Sequence, residues 1–227
     1  MIRHGQASYG AADYDVLSDL GAKQSRELGT YWGSRGHGLD AVYTGPRKRQ
    51  IDTARHFLEA AAGSGASYPA PTVVDEFDEY PAFELLKHWM PILLKDDPEF
   101  KKLLAAGASA KQMDRALDII VTRWANGELD TGEHESFEQF VARVDRGLKH
   151  VMAEQGRGKR VAVVTSGGPI SVGMKLTLGI ADERTLRVAA VVVNASYTEF
   201  RYREDELTMV GFNRIPHLDQ DALDTYR

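Results

Sequence analysis

The chain has 227 residues, 43% of them hydrophobic and 27% charged, a globular composition long enough to bury a core without disulfide or metal staples. Its 28 Lys and Arg against 33 Asp and Glu give a formal charge of -5, which argues against a nucleic-acid partner held by bulk charge. There is no Cys, so disulfides, thiolate metal sites and cysteine nucleophiles are excluded, and a cytoplasmic location is expected.

Met1–His4 reads as the stub of a strand entering a loop at Gly5. Only two residues precede Arg3, against about five or six in an ordinary strand. The segment has no apolar signal region, and no run approaches the roughly 18 apolar residues that span a bilayer, so no membrane partner is expected. Leu17, Leu20, Gln24, Leu28 and Tyr31 share one helical face, with Ser18 as N-cap and Asp19 in the first turn. Ala41–Thr44 predicts a short strand, and Gly45-Pro46 a turn. Residues 47–62 predict a helix entered through Arg47-Lys48-Arg49. Residues 72–74 predict a third short strand, followed by the acidic run Asp75–Glu79.

Residues 82–132 change character. They are rich in Leu, Lys and Asp, with Pro91 and Pro98 as breakers. Two or three short helices are expected, forming an insertion or lid. Residues 135–155 predict a longer helix with Phe137, Phe140, Val141, Val144 and Leu148 on one face. Residues 160–165 predict a strand covered on both faces, since the β-branched run is continuous. Ser166-Gly167-Gly168-Pro169 then opens a helix ending about Leu178, and residues 194–212 predict a hairpin turning at Glu204–Glu206. The order gives an α/β fold: a three-layer sandwich with a mostly parallel central sheet, helices on both faces and the 82–132 helical insertion, in one domain over 1–227.

The residues able to do chemistry lie where strands end, which is where open α/β sheets bind ligands. His4 follows Arg3 and precedes Gly5. Neutral imidazole can attack phosphorus, and neighbouring cations favour the neutral form. Arg49, in the first turn of its helix, can hold phosphate oxygens in a planar fork. A carboxyl of the acidic run can protonate a leaving oxygen. Ser166 and Gly167, between a buried strand and a helix start, form an anion site by construction. Taken alone, each has a bland counterpart: a surface histidine, a solvated basic helix start, a solvated loop, a plain N-cap. The nucleophile-elbow pattern fails because position 164 is Val. His37, His56, His88, His134, His150 and His217 show no metal-ligand spacing.

In this order, the elements resemble the histidine phosphatase superfamily, in its phosphoglycerate mutase-like branch. Arg3-His4-Gly5-Gln6 matches R-H-G-[EQ]. Leu17-Ser18-Asp19-Leu20-Gly21 with Gln24 matches L-[ST]-x-x-G-x-x-Q, and residues 44–54 resemble S-x-P-x-x-R-x-x-x-T-A with Arg49 at the arginine. Asp75-Glu76-Phe77, Glu135-Ser136-Phe137, Asn194-Ala195-Ser196 and Phe212-Asn213 through His217-Leu218 are similar to later family segments. The resemblance implies that His4 is the nucleophile, Glu76 the acid, and Arg3 and Arg49 the phosphate clamp, with Gln6, Ser166 and Gly167 joining the phosphate-binding set. It implies no metal or other cofactor, and a phosphorylated small molecule as substrate. Two departures stand out. Ser166 occupies the place of a second active-site histidine, and the first strand is shorter than the family's, so residues ahead of Met1 are expected to extend it. Two readings follow: a phosphomonoesterase working through phosphohistidine, or a catalytically weak phosphate-binding or regulatory member. A mutase fits less well, because it must shield the phosphoenzyme from water. The strand-rich C-terminal region could offer an interface for a homo-oligomer.

Overall fold

The structure, a computed structural model, describes residues 1–8, 15–105, 109–219 and 223–226. The chain begins β1 (Ile2–Arg3), α1 (Asp19–Ser34), β2 (Ala41–Thr44), α2 (Lys48–Gly63), β3 (Thr72–Val73) and a 3₁₀ turn (Asp75–Phe77). Three helices follow, α3 (Ala82–Asp96), α4 (Pro98–Leu103) and α5 (Ala110–Ala125), then α6 (Phe137–Gln155), β4 (Val161–Thr165), α7 (Gly167–Leu178) and α8 (Asp182–Ala190). A hairpin, β5 (Tyr197–Arg203) and β6 (Glu206–Arg214), comes last. No helix of the described residues is long and apolar enough to cross a membrane.

The six strands form one sheet in the order β3-β2-β4-β1-β5-β6. β3, β2, β4 and β1 run parallel, while β5 and β6 are antiparallel. Period-two alternation divides the side chains between two cores. Val42, Ala162 and Val164 pack with Leu28 and Phe57 of α1 and α2. Tyr43 and Val163 face the opposite way, toward Phe140, Val144 and Leu148 of α6 and Val172 of α7. This is the three-layer α/β arrangement that the sequence predicts.

Local chemistry sets the boundaries. Ser18 caps α1, its Oγ accepting from the Gly21 N–H at 3.0 Å, and Ser136 caps α6 in a reciprocal box with Gln139. Between the 3₁₀ turn and α6 the described residues are helical or coil, as the 82–132 pattern predicts. One difference is that α3 runs through Pro91. The nine-residue α8 is absent from the sequence reading; it buries only Thr185, Leu186 and Ala189, too few for a periodic signal. The hairpin turns through Glu204-Asp205, with Glu206 already paired to Arg203. Trp124 of α5 is 1% exposed. It stacks on Tyr80 with ring centroids 5.7 Å apart, meets Phe137 edge-on, and donates its indole N–H to the Glu135 carbonyl.

Candidate active site

Parallel pairing brings the strand ends together. Arg3 of β1 registers with Thr165 of β4, and the His4 N–H donates to the Thr165 carbonyl at 2.8 Å. The Gly45 N–H donates to the Val164 carbonyl from the other side. His4, the turn before α2 and Ser166 therefore share one edge of the sheet.

His4 is buried. Its Nδ1–H donates to the Gly5 carbonyl at 2.7 Å, which leaves the lone pair on Nε2; that nitrogen accepts from Arg49 Nε at 3.1 Å. Burial, then Arg49 and Arg3, hold the imidazole well below its usual range, so it is neutral. The His4 backbone is pinned as well, its carbonyl accepting from Asn194 Nδ2 and the Ala195 N–H, both at 3.2 Å. The Gly5 N–H donates to Thr53 Oγ1, whose hydroxyl donates back to the Arg49 carbonyl. One threonine of α2 thus fixes both the loop that carries His4 and the arginine.

Arg49 is 7% exposed. Its Nη1 donates to Asp15 Oδ1 at 2.7 Å, and Asp15 Oδ2 accepts from the Lys48 N–H at 2.9 Å. A carboxylate therefore spans the guanidinium and the N-terminus of α2, an anion-favouring position. Arg3 donates from Nη1 to the Val192 carbonyl.

The acidic run divides its labour. The Glu76 Cβ lies 2.7 Å from where a Cβ at Gly147 of α6 would stand, and its carboxylate makes no hydrogen bond or ion pair among the described residues. Glu79 is the carboxyl that the structure brings into the field of Arg49 and Arg3. Its oxygens accept from the Tyr80 N–H at 3.0 Å and the Gly168 N–H at 3.4 Å, the second at the N-terminus of α7. A Cβ at Gly168 would overlap Glu79 Oε1, so only glycine admits this carboxyl. Burial outweighs the cations and raises the Glu79 pKa. Asp78 pairs with Arg47 at 2.5 Å. Arg143 of α6 reaches the same turn, donating from Nη1 to the carbonyls of Glu76 at 2.9 Å and Asp78 at 3.0 Å while its other nitrogens grip Glu135 at 2.7 and 2.8 Å.

The remaining expected residues fall as follows. Ser166 is fully buried, and its Oγ accepts from Gln50 Nε2 at 2.8 Å. Gly167 packs against the end of α8, where a Cβ would lie 2.8 Å from the Ala189 carbonyl. Gln6 ties the loop to α1, its Oε1 accepting from Ser18 Oγ and its N–H donating to Gln24 Oε1, both at 2.9 Å. Asp15, Gln50, Glu79 and Arg143 escape the residue-level reading. Arg143 reaches 65 and 67 residues back along the chain, a distance at which no local pattern speaks. Glu79 differs from its acidic neighbours only by the turn that aims it.

A buried neutral histidine under two arginines, with a protonatable carboxyl across the strand ends, has the chemistry that phosphoryl transfer requires. The family model of the histidine phosphatase superfamily (branch 1) matches residues 1–81 and 104–215. The chain belongs to this superfamily, the histidine-type phosphatases. The internal unmatched stretch, 82–103, covers α3 and α4. Solved structures share the fold at low identity. Phosphoglycerate mutase from Bacillus anthracis is 18% identical, with a TM-score of 0.64 over 96% of this chain and 92% of that one. Phosphoserine phosphatase from Entamoeba histolytica, bound to phosphoserine, is 19% identical, with a TM-score of 0.60 over 96% of each chain. A mycobacterial glucosyl-3-phosphoglycerate phosphatase is 19% identical, with a TM-score of 0.60 over 94% of this chain and 96% of that one. No curated protein sequence matches the chain.

Proposed function

We propose that the chain is a phosphomonoesterase that hydrolyses a phosphorylated small molecule through a phosphohistidine on His4. The observation that carries this reading is the state of His4: neutral, with the Nε2 lone pair turned to the Arg49 guanidinium. On substrate binding, Arg49 Nε exchanges the imidazole for a phosphoryl oxygen. Arg3 and Arg49 then neutralise charge on the transferring group. His4 Nε2 attacks phosphorus, the bond to the leaving oxygen breaks, and Glu79 gives that oxygen its proton. The Glu79 carboxylate next takes a proton from water as the water oxygen attacks phosphorus. The P–N bond breaks, its electron pair returns to Nε2, and phosphate departs. The role expected of Glu76 thus moves three residues on.

The neighbours named for phosphoserine and glucosyl-3-phosphoglycerate support a small phosphate ester as substrate. The α3–α5 block begins two residues after Tyr80, and we assign it the choice of substrate. One observation favours the second reading, a phosphate-binding protein with weak chemistry: the neutral Ser166 hydroxyl cannot carry the positive charge of a histidine.

The test is hydrolysis of p-nitrophenyl phosphate between pH 4.5 and 8 by the parent and His4→Ala, with rapid denaturation to trap acid-labile phosphoenzyme. Turnover and trapped phosphate in the parent, both lost in His4→Ala, are expected. A folded parent that binds inorganic phosphate but neither hydrolyses nor traps returns the protein to the second reading.

A further inference from the structure

Gln50 is fully buried beside the nucleophile, and neither its burial nor its contacts follow from the steps above. Its amide is polarised by its surroundings. Oε1 accepts from the Arg47 N–H at 3.0 Å, while Nε2 donates to the Phe77 carbonyl at 3.3 Å and to Ser166 Oγ at 2.8 Å. A flipped amide would set oxygen against the Phe77 carbonyl and NH₂ against the Arg47 N–H, two repulsions in a buried site. The backbone makes room for this one orientation. A Cβ at Gly45 would overlap Gln50 Oε1 and stand 2.5 Å from the Phe77 carbonyl.

The consequence falls on Ser166. With Gln50 as donor, Ser166 Oγ is an acceptor on that side, and its own proton must point elsewhere. The Phe77 carbonyl is engaged, since it also accepts from Thr165 Oγ1 at 2.7 Å. His4 and Ser166 leave adjacent parallel strands side by side. Ser166 Oγ makes no cap hydrogen bond to α7, so its proton can be given to a group held at His4. Accepting a hydrogen bond also strengthens a hydroxyl as donor.

We propose that Gln50 is a positioning residue, which turns the Ser166 proton onto the phosphoryl group so that the pair forms one neutral, non-titrating donor where a histidine would titrate. The inference rests on the phosphatase reading of this site.

The test is a double-mutant cycle of Gln50→Leu, Ser166→Ala and both, on the full chain. It is read by kcat for p-nitrophenyl phosphate and by Kd for inorganic phosphate, which needs no turnover. Each single change removes the same donor, so each is expected to lower kcat about 10²-fold and raise the phosphate Kd by up to about 10-fold, with the double variant no worse than either. Losses that multiply, or a parent-like Gln50→Leu, overturn the proposal. A non-additive phosphate cycle in a parent without turnover supports the Gln50 assignment and overturns the phosphatase reading. Gln50→Glu keeps the volume and adds a pH readout. Ionised, the new carboxyl accepts the Ser166 proton and turns it away; protonated, it donates as glutamine does. Its kcat relative to the parent is expected to fall as pH rises through that carboxyl's titration. A constant ratio across pH overturns the proposal, even where Gln50→Leu fails to fold.

Discussion

Glu79 and His4 are pushed in opposite directions by one shared burial. The carboxyl is raised above its ordinary 4.5, and the imidazole is held well below 6.5. The proposed mechanism needs the carboxyl protonated and the imidazole neutral. Acid therefore stops the reaction only below the depressed His4 value, and base stops it above the raised Glu79 value. For a poor leaving group such as glycerol phosphate, kcat/KM is expected to be bell-shaped, bounded by these two groups. Glu79→Gln should abolish the alkaline limb and cost about 10²–10⁴ in kcat/KM on glycerol phosphate, but far less in kcat/KM on p-nitrophenyl phosphate, whose leaving group needs no proton; its use as base toward water would still lower kcat on both. Glu76→Gln should cost less than Glu79→Gln on both esters; the reverse ranking would return the acid role to Glu76. Ser166→His is expected to lose activity while Gln50 fills the adjoining space. At this scale the sequence was legible where a residue sits in a motif. His4, Arg49 and Ser166 come from R-H-G-Q, the first turn of α2 and the end of β4. Among five consecutive polar, acidic or aromatic residues it could not tell which carboxyl is aimed inward, since a 3₁₀ turn decides that.

Among the elements, that turn depends on α6. Arg143 joins Glu135, ahead of the helix, to the backbone carbonyls of the acidic run. It touches no reacting group, so its work is to hold Glu79 at the mouth of α7. Replacing it with Met leaves the Glu135 carboxylate without its partner and frees the turn. A loss of about 10-fold in kcat/KM is expected on glycerol phosphate, with a smaller one on p-nitrophenyl phosphate, since kcat/KM ends at transfer to His4 and a misplaced acid hurts that step only where the leaving group needs a proton. Equal losses on the two esters would mean that Arg143 supports the fold alone. Element existence was largely readable, because Ser18, Ser136 and the buried run of β4 each signal locally. α8 and the continuity of α3 through Pro91 were not; both follow from packing that no short window contains.

For the molecule as a whole, two buried neutral histidines predict acid sensitivity. His217 is 7% exposed, lies against Ala195 and the Tyr31 ring, and is held down to about 4 by burial. Its folded pKa is below its unfolded one. The unfolded chain therefore takes a proton that the folded chain refuses as pH falls from about 6.5 to about 4. Stability fully present above that window is lost across it, by roughly 3 kcal/mol for His217, and His4 acts in the same direction. Urea midpoints measured from pH 7.5 to 4.5 should fall less steeply for His217→Gln than for the parent. Parallel slopes would remove His217 from the account.

The aromatic stack on Trp124 has an optical consequence. Tyr80 joins this indole directly to Glu79, the carboxyl proposed as the acid. In a variant with Trp32 and Trp89 replaced by Phe, the remaining emission comes from a sealed ring one residue removed from the reaction. Its intensity should follow occupancy of the phosphate site, giving a label-free binding signal that needs neither a coloured ester nor turnover.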